Sequence, residues 1–325
     1  MMIGTKLVRP AMAAAFALMA GSAWLPASIH AEEKYPSRPV EIVVPWGPGG
    51  GADQVARKAG KILEEGLKVS FPVVNVPGAT GQTGLTKMLT APADGYTISI
   101  MTGDTFSLLG SGAKLNWSLK DFVPVAIMIR QPSAFFVAEN SPIKNWNDLV
   151  NEAKKRPLKV AVTGFGSPDD IHVNYFKSKG INMVSVPFAK PGERYSSILG
   201  GHADVLYEQL GDVKSFLDGK QMRPIVIFDA KRFPAFGDVP SSTELGYPIS
   251  IYQFRMFIVK AGTDPQKIKV LSDALAKVAA DPDYKQYLKD QYALEDSYIA
   301  FEGAQKFLET ELNNMKRFAA EAGMK

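Results

Sequence analysis

The chain has 325 residues and carries 37 Lys and Arg against 33 Asp and Glu, a formal net charge of +4 at pH 7. It contains no cysteine, which excludes disulfides, thiol catalysis and cysteine-ligated metal sites. The charge excess is small and no Lys/Arg-rich block occurs, so the composition argues against a nucleic-acid partner.

The first 31 residues have the pattern of a secretory signal peptide. Lys6 and Arg9 precede an apolar run over residues 11–23, and small residues then lead into a polar segment that begins at Glu32. The apolar run is shorter than the ~20 residues that a membrane-spanning helix needs. We therefore predict that the chain is exported to the periplasm and that residues 1–31 are removed.

Beyond the predicted signal peptide, β-branched runs alternate with helical apolar spacing. The order strand, helix, strand, helix, strand over residues 40–101 predicts right-handed crossovers and a parallel sheet. The predicted strands are residues 40–45, 71–76, 96–101, 123–130, 134–138, 159–163, 183–186, 204–207, 222–228 and 252–259. Asp264-Pro265 predicts the capped start of a C-terminal helix.

Two lobes are expected from length alone, because the chain without its signal peptide exceeds the usual size of one domain. We predict that residues 32–127 and 256–325 form lobe 1 and that residues 128–255 form lobe 2. The C-terminal helices then return to lobe 1. Hinge bending is expected at the two crossings, near residues 125–130 and 252–257.

A glycine-rich loop, residues 47–53, joins the first predicted strand to the first helix. Bare N–H groups at a helix start attract anions through hydrogen bonds and the helix dipole. The loop formally matches a dinucleotide fingerprint, but Pro48 removes a donor and the strand ending at Asn75 offers no ribose-binding acid. A P-loop is excluded because no Gly-Lys-Ser/Thr follows. An anion site and a plain glycine turn remain as alternatives.

A second strand-to-helix loop, residues 164–168, lies in the other half of the chain. Its Ser167 either caps the following helix or donates to a ligand. Two such loops in separate lobes indicate a cleft where the carboxyl ends of two sheets face each other. Four aromatic residues are candidates for an apolar part of this cleft or for the core: Trp46, Phe165, Phe188 and Tyr207.

Catalytic and metal-binding interpretations find little support. After the signal peptide, neither His172 nor His202 has an acidic partner at a recognisable catalytic or metal-ligand spacing. Asp169 and Asp170 lie at a helix start, where acids usually stabilise the helix end. We therefore expect no metal site, no cofactor and no enzymatic activity.

A series of ordered segments resembles the substrate-binding receptors of tripartite tricarboxylate transporters, also called Bug proteins. These segments are residues 35–40, 43–53, 75–81, 93–97, 121–126, 164–168, 186–188, 199–204, 236–240 and 244–246. They span essentially the whole chain after the signal peptide, which makes the resemblance specific.

The resemblance implies an α/β, two-lobed periplasmic-binding-protein fold with a ligand cleft between the lobes. It also implies that backbone amides and hydroxyls of the two glycine loops hold a carboxylate, often through water. The expected ligand-binding residues are Trp46, Pro48, Gly49, Gly50, Gly51, Ala52, Asp53, Thr80, Thr105, Gly164, Phe165, Gly166, Ser167, Pro168, Phe188, Arg194, Asp204 and Glu208.

Several positions depart from the family pattern. Ala52 stands where Thr or Ser is usual, and Asp170 stands where His is common. Glu208-Gln209 replaces a common Asp-Asn pair, and residues 192–195 replace a smaller, less charged stretch. Because these positions flank the expected cleft, the resemblance does not identify the ligand.

Arg194, within that charged stretch, is the candidate for ligand selectivity. A guanidinium can hold a distal carboxylate through two charge-assisted hydrogen bonds, a geometry that lysine does not reproduce. The alternative is a surface Arg194 paired with Glu193 or Asp204, which contributes little to stability.

The sequence thus predicts a monomeric receptor that captures a mono-, di- or tricarboxylate and delivers it to membrane subunits of a transporter. Two alternatives remain open at this point. One is a receptor that presents its ligand to a membrane sensor, and the other is a secreted α/β hydrolase.

Overall fold

Two mixed β-sheets form the framework of this computed structural model, which describes residues 1, 2, 4 and 34–324. The predicted signal peptide lies almost entirely outside the described residues and stays a prediction. Within the part of the chain that is described, no helix is long and apolar enough to cross a bilayer.

Each strand predicted from the sequence has a counterpart in the structure, with ends that shift by a few residues. The strands are β1 Glu41–Val44, β2 Val73–Asn75, β3 Thr97–Thr102, β4 Phe122–Gln131, β5 Ser133–Ala138, β6 Leu158–Val162, β7 Met183–Pro187, β8 Val205–Gln209, β9 Met222–Ile227 and β10 Gln253–Lys260.

Helices connect most of these strands and close the C-terminal part of the chain. They are α1 Gly51–Leu67, α2 Gln82–Thr90, α3 Gly103–Phe106, α4 Trp146–Ala153, α5 Pro168–Ser178, α6 Pro191–Leu199, α7 Lys214–Asp218, α8 Pro265–Ala280, α9 Pro282–Asp290 and α10 Phe301–Glu321.

The strand order is β2-β1-β3-β10-β4 in the first sheet and β7-β6-β8-β5-β9 in the second. In the first sheet, β1 runs parallel to β2 and β3, as the crossovers predict, whereas β10 runs antiparallel to β3 and β4. The second sheet repeats this plan, with β6 parallel to β7 and β8 and with β5 antiparallel to β8 and β9. Both sheets are therefore mixed rather than wholly parallel.

The chain changes sheet at Pro132, the single residue between β4 and β5. Residues 129–131 and 253–255 pair with each other as part of the first sheet, although the predicted lobe boundaries place them in lobe 2. The predicted hinge segments also lie within this ladder. The division into lobes stays a prediction, and the sheet change at Pro132 is the better place for its boundary.

The C-terminal helices pack mainly on the first sheet. The predicted cap is confirmed, because the Asp264 side chain accepts a hydrogen bond from the backbone N–H of Gln266 at the start of α8. Helix α8 packs against α1 and β4, while α10 packs against both β4 and α5. Tyr175 of α5 and Phe318 of α10 meet edge to face with ring centroids 6.3 Å apart. Helix α10 thus contacts elements attached to both sheets.

Candidate ligand-binding cleft

A small cavity lies where loops of the first sheet meet loops of the second. Its volume is about 30 Å³, well below the ~300 Å³ at which small-molecule sites usually begin. Most of its lining follows the carboxyl ends of strands, where open α/β sheets usually bind ligands. The lining residues are Trp46, Gly50, Gly51, Ala52, Thr102, Asp104, Thr163, Pro191, Arg194, Glu208, Gln209, Asp212 and Arg255.

The start of α1 forms one wall of this cavity. Gly50, Gly51 and Ala52 line it, and no side chain caps the helix. The first N–H groups of a helix have no partner within the helix, and they carry the positive end of its dipole. Next to them, the indole Nε1 of Trp46 donates to Thr102 Oγ1 at 3.1 Å. The wall therefore combines hydrogen-bond donors with an aromatic side chain.

Asp53 fixes the loop that leads into α1 and does not line the cavity. Its Oδ2 accepts hydrogen bonds from the Gly49 N–H and from Arg57 Nε, both at 3.0 Å, and its Oδ1 accepts from Asn75 Nδ2 at 2.9 Å. Burial alone would raise the pKa of Asp53, but these hydrogen bonds lower it below its ordinary value. Gly49 adopts a φ of +84°, which favours glycine.

Because Gly51 has no side chain, a buried ion pair can lie directly against the start of α1. A Cβ atom at Gly51 would overlap both the Arg255 guanidinium and the Asp212 carboxylate. Arg255 and Asp212 pair with each other, and their side chains are 4% and 3% exposed. Arg255 also donates to Gln131 Oε1 and, at 2.9 Å, to Gln209 Oε1. Because Arg255 belongs to β10 and Asp212 follows β8, the pair joins the two sheets beside the helix start.

Asp212 retains one open acceptor despite this pairing. Its Oδ1 is buried and has no hydrogen-bond partner within the described residues. Burial raises the pKa of Asp212 to about 6, a rise that Arg255 opposes and the negative charge of Glu208 reinforces. Asp212 is therefore a buried carboxyl group that still has capacity to accept a hydrogen bond from the cavity.

Arg194 lies in the cavity wall and is not a surface residue. Its side chain is 4% exposed and pairs with Glu208, whose side chain is 3% exposed. Its Nη1 donates to the Phe188 carbonyl at 3.1 Å. Its Nε is buried without a partner in the described structure. Arg194 therefore has one donor that no protein group uses.

The two surface partners suggested for Arg194 are engaged elsewhere. Glu193 pairs with Lys190 at 3.0 Å, and Asp204 pairs with Arg156 at 2.8 Å. The alternative interpretation of Arg194 as half of either surface pair is therefore wrong.

Asp104 and Asp169 add two buried acids near the same cavity. Asp104 Oδ2 accepts from Gln253 Nε2 at 2.6 Å, and Asp169 accepts from the N–H and hydroxyl of Thr163 at 2.5 and 2.9 Å. Burial, reinforced by the charge of Glu208, raises the pKa of Asp104. Burial and the charge of Asp104 raise the pKa of Asp169 to about 7. The two acids thus hold Thr163 and Gln253 in place.

The second glycine loop packs against the first sheet's loops. Ser167 accepts from the N–H three residues later, as a helix cap, and donates to the Gly164 carbonyl at 2.5 Å. Gly166 has a φ of +78°, and its carbonyl accepts from Ser107 Oγ at 2.6 Å. Gly164 lies so close to Thr80 that a Cβ there would overlap the hydroxyl. In this conformation the loop closes one side of the cleft and does not line the cavity.

The structure brings together only part of the expected binding set. The expected residues that line the cavity are Trp46, Gly50, Gly51, Ala52, Arg194 and Glu208. The expected residues outside its lining are Pro48, Gly49, Asp53, Thr80, Thr105, Gly164, Phe165, Gly166, Ser167, Pro168, Phe188 and Asp204. Phe165 is 63% exposed, so it contributes little to a closed cleft.

Asp204 lies at the wrong end of its strand to reach the cavity. It precedes β8, where its carboxylate accepts from Arg156 and from the Lys159 N–H at 2.8 Å. Glu208, near the carboxyl end of the same strand, is the β8 acid that reaches the cavity. The expectation that Asp204 binds ligand therefore has no geometric support here.

Sequence reasoning missed several lining residues. These are Thr102, Asp104, Thr163, Pro191, Gln209, Asp212 and Arg255. The clearest available signal was Arg255, a charge within the otherwise apolar stretch from Phe254 to Val259. A charge in a buried strand needs a buried partner, which points to an unrecognised polar site. In the described part of the chain, no group of three or more His, Asp or Glu residues is placed to hold a metal ion.

Two mixed β-sheets with helices, and a cavity between their loops, are typical of the periplasmic-binding-protein fold. Solved structures support this fold class. Over 90% of this chain and 99% of the other, the structure matches the periplasmic binding protein BugD with a TM-score of 0.82 at 22% identity. Over 88% of this chain and all of the other, it matches MatC of Rhodopseudomonas palustris, solved with malate, with a TM-score of 0.81 at 23% identity. The predicted fold class is confirmed.

Sequence comparison identifies the family to which the chain belongs. The chain is 29% identical over 303 residues to a UPF0065 protein of Cupriavidus necator, covering 90% of this chain and 89% of the relative. It is 29% identical over 252 residues to BugT of Bordetella pertussis, covering 74% and 76%. The family described as "Tripartite tricarboxylate transporter family receptor" matches residues 55–324. The chain belongs to this family, as its motifs predict, and is a receptor rather than an enzyme.

Proposed function

We propose that this receptor captures a small carboxylate between its two sheets and delivers it to a tripartite tricarboxylate-type membrane transporter. It does so in the periplasm, as a monomer, after residues 1–31 are removed. The family assignment supports the transport role. Two structural neighbours from Rhodopseudomonas palustris, solved with malate and with adipate, support a carboxylate as the ligand.

The uncapped start of α1 is the observation that carries this proposal. Three of its residues, Gly50, Gly51 and Ala52, line the cavity, and no side chain satisfies the helix start. A carboxylate there would receive hydrogen bonds from backbone N–H groups and stabilisation from the helix dipole. The glycines keep the approach to these donors free of side chains.

Ligand entry requires a conformational change. The cavity has a volume of about 30 Å³, whereas small-molecule sites usually reach ~300 Å³ or more. The two sheets must therefore separate at their loops to admit a ligand. A ligand that contacts both walls would then favour the closed population.

A thermal-shift screen followed by calorimetry tests the proposal. The screen contains organic acids and, for each, a counterpart that carries an α-amino group. We expect at least one carboxylate-bearing compound to raise the melting temperature and to be recovered chemically unchanged. If no carboxylate-bearing compound binds, or if the bound compound is recovered as a product, the proposal is wrong. Loss of uptake of the identified compound in cells lacking the receptor checks the transport role.

A further inference from the structure

The charges around the cavity are unusual for a site that binds only an anion. Arg194 pairs with Glu208, and Arg255 pairs with Asp212. Asp104 also lines the cavity, and among the described residues it forms no ion pair. Asp169 lies behind Thr163, likewise without a basic partner among the residues described. Both arginines are thus already matched, and no unpaired cation remains among the described residues that line the cavity.

A plain carboxylate would bring a negative charge into a cavity whose two arginines are already paired with protein acids. Burying a charge without a counter-charge is costly, and each additional anion would meet arginines already engaged with protein acids. A ligand that also carries a positive charge avoids that cost. The balance of charges therefore favours a zwitterion over a simple dicarboxylate.

The unpartnered polar atoms in the cavity wall also favour a zwitterionic ligand. The side chains of Asp212 and Arg194 are 3% and 4% exposed, so both are more than nine-tenths buried. Asp212 Oδ1 is an open acceptor and Arg194 Nε is an open donor. An ionised carboxylate accepts hydrogen bonds but donates none, whereas an ammonium group donates three. A ligand with both groups would satisfy both open atoms.

We propose that the ligand carries a cationic N–H group beside its carboxylate, as an amino acid does, and that Asp212 is the residue that selects for it. This inference rests on the proposed carboxylate-binding function. Asp212 lies against Gly51 at the start of α1, next to the amides that receive the carboxylate. An ammonium group on Asp212 and a carboxylate on α1 would therefore be close neighbours, as they are in an α-amino acid.

Matched ligand pairs test this inference on the unaltered protein. Succinate and aspartate differ by one ammonium group, as do glutarate and glutamate, and 4-methylpentanoate and leucine. We expect the amino acid of the best-binding pair to bind at least tenfold more tightly than its plain counterpart. If a plain carboxylate binds as tightly or more tightly, the inference is wrong while the proposed function stands. If neither kind of compound binds in the full screen, both are wrong.

The variant Asp212→Asn assigns the selectivity to one residue. Asparagine keeps the size of the side chain and an acceptor for Arg255 but removes the negative charge. We expect at least a tenfold loss of affinity for the amino acid, whereas the plain carboxylate should bind as tightly as before or more tightly, because the variant removes a negative charge beside Arg255. Asp204→Asn, at the other end of β8, is the control and should alter neither affinity. Equal losses for both ligands would show that Asp212 acts only through the fold.

Discussion

Arg255 of β10 and Asp212 beyond β8 form a buried ion pair that links the first sheet to the second beside the cavity. The pair fits against Gly51, where any side chain would collide with it. It therefore occupies the space in front of the first turn of α1. A ligand that reaches those amides must contact this pair or displace it.

Breaking the Arg255–Asp212 pair should cost far more stability than breaking an exposed pair. Arg255→Ala leaves Asp212 buried without its cation, and such changes typically cost about 3–5 kcal/mol. Urea or guanidinium unfolding measures this loss. The control is Arg232→Ala, whose ion pair with Glu244 is exposed and should contribute about 1 kcal/mol or less. Similar small losses in both variants would mean that the Arg255 pair stabilises the fold little.

The strands and the glycine loop before α1 were predictable because each depends on the residue types within one short segment. Alternating β-branched runs indicate the strands, and the glycine loop before α1 indicates a helix start that is bare of side chains. Gly50, Gly51 and Ala52 do line the cavity. The mixed sheets were not predictable in the same way, because β10 joins the first sheet from far along the chain.

Side-chain partners were predicted poorly because they depend on tertiary contacts. Arg194 lines the cavity, but its partner Glu208 is 14 residues away on another element. Asp204 precedes β8 and Glu208 lies near its carboxyl end, so the direction of that strand decides which acid reaches the cavity. Arg255 and Asp212 come together across 43 residues of sequence. Sequence patterns alone do not supply that pairing.

Adding one methyl group at Gly51 should impair ligand binding. Gly51→Ala suits a helix start, so its backbone cost is small, but the Cβ would displace Arg255 and Asp212. We expect at least a tenfold loss of affinity for the identified ligand by calorimetry. Gly192→Ala is the matched control, because a Cβ there meets nothing within 4 Å. Unchanged affinity in Gly51→Ala would remove this part of α1 from the binding site.

Asp169 should make folding stability depend on pH. Burial and the charge of Asp104 raise the pKa of Asp169 to about 7 in the folded protein, compared with an ordinary value of ~3.9. Between these values the folded state binds more protons than the unfolded chain, so the contribution of Asp169 to stability falls as pH rises. Asp169→Asn should therefore gain stability relative to the unaltered protein between about pH 5 and pH 8, by on the order of 2 kcal/mol.

Unfolding curves of both proteins across this pH range measure the difference. His172, whose pKa burial lowers to about 3, contributes equally to both and cancels. The control is Asp204→Asn: burial alone would raise the pKa of Asp204, but the hydrogen bonds from Arg156 and the Lys159 N–H lower it. The effect of Asp204→Asn on the free energy of unfolding should be constant over the same pH range. A pH-independent difference for Asp169→Asn would contradict the raised pKa.

Ligand binding should make the protein more compact. The cavity is too small for a dicarboxylate or an amino acid, so we expect the free protein to populate a more open form, with bending at Pro132 and in the return segment between β9 and β10. Small-angle scattering should show a smaller radius of gyration at saturating ligand. Because α10 packs against β4 and α5, the change should be modest. An identical radius with and without ligand would mean that entry requires only side-chain motion.

The variant Arg194→Lys separates a binding role of Arg194 from a structural one. Arg194 donates to Phe188 and Glu208 and retains a free Nε. Arg194→Lys keeps the positive charge for Glu208 but loses the planar set of donors. If Arg194 binds a distal carboxylate, this variant should lower the affinity for a ligand with two carboxylates about tenfold or more, which corresponds to ~1.4 kcal/mol. A matched ligand with one carboxylate should lose far less affinity.

Glu208→Gln supplies the complementary test of the same site. Glu208 occupies one edge of the Arg194 guanidinium, so it competes with any ligand carboxylate for that group. Removing its charge should strengthen binding of the ligand with two carboxylates, while the one-carboxylate ligand should respond weakly. Calorimetry on the two variants and the two ligands gives a complete set of comparisons. If Arg194→Lys lowers the affinity for both ligands equally and Glu208→Gln raises it for neither, the buried pair stabilises the cleft and does not determine ligand selectivity.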